Sequence, residues 1–292
     1  MDLNNLLVML TAILIGSSCS LLGSFLILRK SVMIGDAISH SVLPGIVLAF
    51  IFTEERAAFP ILIGAAVFGV LTTMFIQFLQ RRSNVQEGAA IGISFTFFFA
   101  LGVIMIALST GGNVDIDQEC VLFGEIASSY LDKIFIDGYF VGTRSILTMT
   151  PVLVIIILFV ILGMKGLRLT SFNEDYAKAL GINVNAWNYA LLMLVSITAV
   201  LSFEAVGAVL VVGFLTIPPA SAYLITNNLS KMLWISVLYT ILAAVGGTLL
   251  ALELDVTISG MIVSVSGILF LITWLIQILV QKRNKIESLK SV

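Results

Sequence analysis

Along the 292-residue chain, apolar stretches alternate with short polar joins at about 5–28, 36–53, 59–80, 88–108, 146–164, 185–203, 207–226, 232–250 and 258–281. Each approaches the twenty or so residues that an α-helix needs to cross the hydrocarbon core of a bilayer. Gly, Pro and clustered charge punctuate them. The pattern predicts an all-α polytopic membrane protein with about nine transmembrane helices. The second stretch is short and carries Pro44, and the 203–207 join is tight enough that a re-entrant bend there would leave eight full spans. Within the longest join, 109–145, residues Val121 to Leu131 mix apolar and polar positions at helical spacing and predict a short helix. Low-complexity segments and convincing internal repeats are absent, so 1–292 reads as a single transmembrane domain.

Composition agrees. Hydrophobic residues make up 59% and charged residues 11% of the chain, with a mean hydropathy of +1.12. Soluble domains carry about 25% charged residues. A soluble enzyme, a disordered regulator and a basic-faced nucleic-acid binder are therefore excluded. Nine crossings place every one of the 15 Lys and Arg on one side except Arg56, Lys133 and Arg144. The positive-inside rule then puts the C-terminus in the cytoplasm and the N-terminus outside, whereas an even number of spans breaks the alternation. Glu54, Glu55, Asp115, Asp117, Glu119, Glu125, Asp132, Asp137, Glu253 and Asp255 gather on the outer side. They form either a solvated loop surface or a field that concentrates cations. Cys19 and Cys120 lie far apart without CxxC spacing, which indicates neither a zinc knuckle nor a disulfide framework.

One ionisable constellation falls inside the spans. Asp36 and the only histidine, His40, are four residues apart in Gly35-Asp36-Ala37-Ile38-Ser39-His40-Ser41-Val42-Leu43-Pro44-Gly45. On a helix they share a face. A charge at the centre of a span costs about 2.5–3.5 kcal/mol, so such a pair persists where it faces a cavity or a partner and marks a pathway; the bland alternative is a clamp between two helices. Carboxylate and imidazole together suit a divalent transition metal, but two ligands are too few for a closed site. A second copy or homologous subunit across a pore would complete it. Pro44 lacks an N–H for the His40 carbonyl and should kink the helix beside the imidazole.

The motif around Asp36 and His40 resembles the signature of the bacterial zinc/manganese/iron ABC-transporter permeases. The resemblance continues through Ala90-Ile91-Gly92-Ile93, Val121-Leu122-Phe123-Gly124-Glu125, Phe172 to Gly181, and Val206-Gly207 to Thr216-Ile217-Pro218-Pro219-Ala220, covering nearly the whole chain in order. It implies a subunit of the bacterial cytoplasmic membrane, with Asp36 and His40 coordinating metal on the translocation path. It also implies three partners: a cytoplasmic ABC ATPase, an extracytoplasmic metal-binding lipoprotein and a second permease subunit, identical or homologous. The longest cytoplasmic connection, 165–184, reads as a short capped helix. The resemblance makes about 172–181 the coupling helix that docks on the ATPase, with Glu174 and Asp175 early in it and Ala177, Ala179 and Gly181 in its Ala-to-Gly core. The chain has no GxxxxGK[ST] phosphate loop, so energy must come from another polypeptide.

Glu204 departs from the family pattern, where a neutral residue is expected, and either touches the ion path or reaches lipid headgroups. Pro218-Pro219 interrupts the seventh span as a hinge or a static kink, and Pro44 is a third hinge candidate. The carboxylate–imidazole pair without thiolate leads to Mn²⁺ as the expected cargo, with Zn²⁺ or Fe²⁺ carried by the same mechanism as the alternative. No permanently bound cofactor is expected. A secondary transporter in which Asp36 and His40 carry protons is the competing class. A membrane enzyme lacks a nucleophile or third polar group beside the pair.

Overall fold

In the computed structural model, which describes residues 3–53, 58–82, 85–110, 126, 133–136 and 139–290, helix α1 (Leu3–Leu28) runs through the middle of the bundle. Val8, Ala12, Ile15, Cys19, Leu22, Phe25 and Leu26 on it are buried. Around it stand α6 (Arg144–Phe172), α8 (Val184–Val206), α9 (Ala208–Ile225) and α10 (Leu229–Leu254), with α11 (Ile258–Lys290) packed on α9 and α10. A second group, α2 (Ile34–Ser41), α3 (Leu43–Thr53), α4 (Ala58–Arg82) and α5 (Glu87–Thr110), joins the first mainly through α4 and α2 against α8. Among the described residues nine helices are long and apolar enough to cross a membrane, with α2 and α3 together forming the second crossing. Their outward faces carry exposed Leu, Ile, Val and Phe, as on α6 at Val154, Ile155, Leu158, Ile161 and Leu162. In lipid such a surface is the ordinary exterior.

Several sequence expectations are refined. α6 continues eight residues past position 164, so Lys165 and Arg168 sit on a helix and the connection that follows shrinks to the segment holding α7 (Glu174–Ala179). At the 203–207 join α8 and α9 are two separate helices meeting at one residue, Gly207, whose φ of 81° suits glycine. The short helix expected over 121–131 lies outside the described residues, Ile126 apart. So do Glu54, Glu55, Asp115, Asp117, Glu119, Glu125, Asp132 and Asp137. Farther along the same segment is an element the helical reading did not anticipate, an antiparallel pair of strands, β1 (Lys133–Ile136) and β2 (Tyr139–Thr143). The sequence signal for it is Asp137-Gly138 between Ile134-Phe135-Ile136 and Tyr139-Phe140-Val141, a hairpin pattern.

Pro218 and Pro219 do not interrupt their span, which is a correction to the sequence reading: α9 runs continuously through both, and both are buried. Pro219 has no N–H for the Leu215 carbonyl four residues earlier. That oxygen faces α1 instead. A Cβ built on Gly23 would collide with the Leu215 carbonyl oxygen, so the hydrogen that occupies this direction points at the oxygen. Such Cα–H···O contacts recur where helices approach closely. The missing ladder bond is thus offset by the neighbouring helix.

Candidate functional site

The first helical turns after the α1 reversal carry the pair. Ile34, Gly35, Ala37, Ile38, Ser39 and Ser41 form the buried side of α2. Gly35 lies against Leu215 of α9, where an added Cβ would come within 2.8 Å of the Leu215 Cδ1. With small residues turned inward, the 3.6-residue repeat leaves Asp36 and His40 on the opposite, open face. The His40 Nε2 lies 3.8 Å from the Asp36 Oδ1, and the two side chains are 44% and 55% exposed. The imidazole is steadied by Phe95 and Phe99 of α5, at centroid distances of 5.9 and 6.3 Å. Ser39 Oγ donates to the Asp36 carbonyl at 2.6 Å, leaving the Asp36 carboxylate uncommitted to that hydroxyl.

The hydrogen-bond ladder breaks at Val42, between α2 and α3. Pro44 is the second residue of α3, a first-turn position where a missing N–H is tolerated. Gly45 and Ile46 both donate to the Val42 carbonyl, at 3.0 and 3.2 Å. The interruption therefore falls within one turn of His40, while Val42 itself keeps right-handed helical angles. Among the described residues no third His, Cys, Asp or Glu joins the pair. One chain thus presents two hard or borderline ligands on an accessible face, enough to hold a divalent cation weakly together with water or a facing subunit.

The second group of expected residues is brought together elsewhere, on α7. It is narrower than 172–181: Phe172 ends α6, and Asn173 caps α7 by accepting from the Tyr176 N–H at 3.0 Å. Glu174 and Asp175 occupy the first turn, where acids favour the helix dipole, and Lys178 pairs with Asp175 at 3.2 Å. Ala177 is buried and is the anchor of the turn. Ala179 is exposed, and Gly181 lies beyond the helix at φ 77°, with Gly181 N–H donating to Lys178 and Ile182 N–H to Ala177 in a closing turn. The sequence reading missed the apolar part of this face. Phe172, Tyr176 and Leu180 are each more than half exposed, at a spacing of four. In a chain this apolar such residues do not stand out by type, and because Asn173 separates Phe172 from α7 no continuous helical spacing marks them either.

Glu204 neither joins the Asp36–His40 pair nor stands alone. It faces Arg144 at the start of α6, 3.7 Å away, with both side chains partly exposed. Pro218 and Pro219 sit on α9 below Leu215, the residue that touches Gly35.

Comparison with known proteins fits this geometry. The ABC 3 transport family model matches residues 4–277. The manganese transport system membrane protein MntD of Bacillus subtilis is 41% identical over 260 residues, covering 89% of this chain and 88% of that protein. The zinc transport system membrane protein TroD of Treponema pallidum is 37% identical, covering 92% of this chain and 72% of its own length. Among solved structures, PsaBC from Streptococcus pneumoniae in complex with Fab superposes with a TM-score of 0.74 at 32% identity, covering 94% of this chain and 92% of that one. With nine helices among the described residues long and apolar enough to cross a membrane, and a match that runs through nearly all of them, the chain is a multi-pass membrane protein and belongs to the ABC 3 transport family.

Proposed function

We propose that this chain is the permease subunit of an ATP-driven importer of Mn²⁺ in the bacterial cytoplasmic membrane, with Asp36 and His40 as the protein ligands that the ion meets on its way inward. The observation that carries the reading is the Asp36–His40 pair on an open face of a membrane helix, in a chain similar to a manganese transport protein throughout. Two ligands per chain suit a cargo that must leave again: a closed site would trap the ion. A second permease subunit facing this one would double the ligands. An extracytoplasmic binding protein would deliver the metal. A cytoplasmic ATPase would bind α7 and supply the energy, and Pro44 with the Val42 break would be where α2 yields. The similarity to TroD supports Zn²⁺ as the second reading, since zinc takes the same two ligands.

The test is uptake of radioactive manganese into proteoliposomes holding the complete transporter. Uptake is expected to require ATP, to be unaffected by a protonophore and to be outcompeted by Mn²⁺ at lower concentration than by Zn²⁺. Uptake that follows the proton gradient without ATP would refute the reading, and tighter competition by Zn²⁺ would reassign the cargo.

The exposed Tyr176 gives a further prediction. Tyr176→Asp places a charge at the exposed apolar side chain in the middle of α7, and a charge in an apolar contact is desolvated without a partner. Recovery of the ATPase with the tagged permease is expected to fall at least about tenfold, roughly 1.4 kcal/mol of association energy. The yield of permease itself should not change, because Tyr176 is more than half exposed. Undiminished co-purification would remove this helix from the docking surface.

A further inference from the structure

We infer that Arg29 is the positioning residue that links the α7 helix to the Asp36–His40 pair, so that the two move together. The inference rests on the transporter reading above and adds to it a specific route. Arg29 follows the last residue of α1, and its three guanidinium nitrogens all donate. Nε reaches Ser171 Oγ at 3.1 Å, Nη2 reaches Thr170 Oγ1 at 2.9 Å, and Nη1 binds Asn188 Oδ1. Thr170 and Ser171 are in the last turn of α6, just before α7, and Asn188 is in the second turn of α8, just after it. One side chain therefore fastens both ends of the segment that carries α7. Burial pulls the guanidinium down to about 10, partly opposed by the carboxylate of Glu174, the first residue of α7, so it stays charged at neutral pH.

The other end of the link is the turn into α2. Lys30 takes a left-handed conformation, φ 61°, that side chains other than glycine seldom adopt. It is held there by Lys30 N–H to the Ile27 carbonyl at 3.0 Å and Ser31 N–H to the Leu26 carbonyl at 2.9 Å. Ile34 N–H then donates to Ser31 at 3.2 Å, and Gly35 N–H to Val32 at 3.3 Å. From Arg29 to Asp36 the backbone is thus a chain of local bonds with no slack segment. Beside it lies a polar cavity of about 280 Å³ lined by Arg29, Ser31, Ile34, Gln77, Glu87 and Glu174, among others, so the link is not packed solid and has room to shift. Movement of α7 pulls on the Arg29 guanidinium, and the turn passes it to the first residues of α2.

A residue that merely braces the fold would lower uptake and ATP hydrolysis together. A positioning residue changes their ratio. In proteoliposomes of the complete transporter, Arg29→Gln and Asn188→Ala are expected to raise the ATP hydrolysed per Mn²⁺ delivered, at least about tenfold for the first and severalfold for the second. Arg29→Lys keeps the charge but lacks the planar fork, and should fall between Arg29→Gln and the unaltered protein. A ratio equal to that of the unaltered transporter in both Arg29→Gln and Asn188→Ala overturns the inference, whether total uptake is normal or reduced. If Arg29→Gln does not assemble, the half-buried Asn188→Ala decides alone. Absence of ATP-driven uptake by the unaltered complex would instead refute the transporter reading, and this inference would fall with it.

Discussion

Manganese uptake is expected to fall by at least about a hundredfold in Asp36→Asn and in His40→Ala, with the transporter still assembled. The carboxylate is the only full negative charge in the proposed ligand pair. Charge-assisted contacts are roughly twice as strong as neutral ones, and loss of about 3 kcal/mol of ion binding corresponds to about two orders of magnitude in affinity. Insertion energetics run the other way. A carboxylate within a span costs about 2.5–3.5 kcal/mol, so the amide, which is nearly isosteric, relieves the membrane of a burden. The two effects separate ion handling from folding: Asp36→Asn should express at least as well as the parent while transporting far less. In His40→Ala the ring that Phe95 and Phe99 flank is lost, but His40 is partly exposed and no large buried void results. Normal uptake in either assembled variant would make the pair a structural clamp.

Gly23→Ala is expected to be among the most damaging small substitutions in the bundle, together with Gly45→Ala and Gly64→Ala, whose added Cβ would also meet a backbone carbonyl. In an exposed helix the change would stabilise by about 1 kcal/mol through propensity. Here the new methyl meets the backbone carbonyl of Leu215, which cannot rotate away as a side chain would. Overpacking costs about 1–3 kcal/mol even where side chains can yield, so the collision outweighs the propensity gain. The strain falls on the α1–α9 contact at the carbonyl that Pro219 leaves without a partner in its own ladder. Thermal unfolding in detergent, followed by the loss of monodisperse protein, should begin at clearly lower temperature than in the parent. Gly88→Ala and Gly267→Ala are the controls, because a Cβ at either position meets nothing within 4 Å. If Gly23→Ala unfolds with the controls, α1 and α9 are less closely seated than described.

The spans were legible because apolar length and interruption are properties of the local sequence, and the Asp36–His40 pair because ionisable residues in a span are conspicuous. What could not be read depended on distant residues. Paired prolines ordinarily break a helix, yet α9 runs through Pro218 and Pro219, and the Leu215 carbonyl left without its ladder partner meets Gly23, almost two hundred positions away. Arg29 looked like one more basic residue at a membrane boundary. Its acceptors are 141, 142 and 159 residues further along, and no periodicity announces them. Glu204 was distinctive only as a departure from a pattern; the partner that accounts for it, Arg144, belongs to another helix. The reach of α7 was overestimated at both ends, because Asn173 and Gly181 are helix-compatible by count but sit at a cap and at a positive φ.

The single-residue joint at Gly207 has a kinematic consequence. Consecutive Cα atoms are about 3.8 Å apart, too short a tether for α8 and α9 to slide past one another by a helical turn of about 5.4 Å without unwinding. What is left to them is rotation about the corner. At about 1.5 Å per residue, Asn188 lies about 28 Å along one arm and Leu215 about 12 Å along the other. If the two arms turn together about Gly207, they act as a bell crank: a displacement at the Arg29 contact arrives at Gly35, beside the proposed ligand Asp36, at a little under half its size, exchanging travel for force.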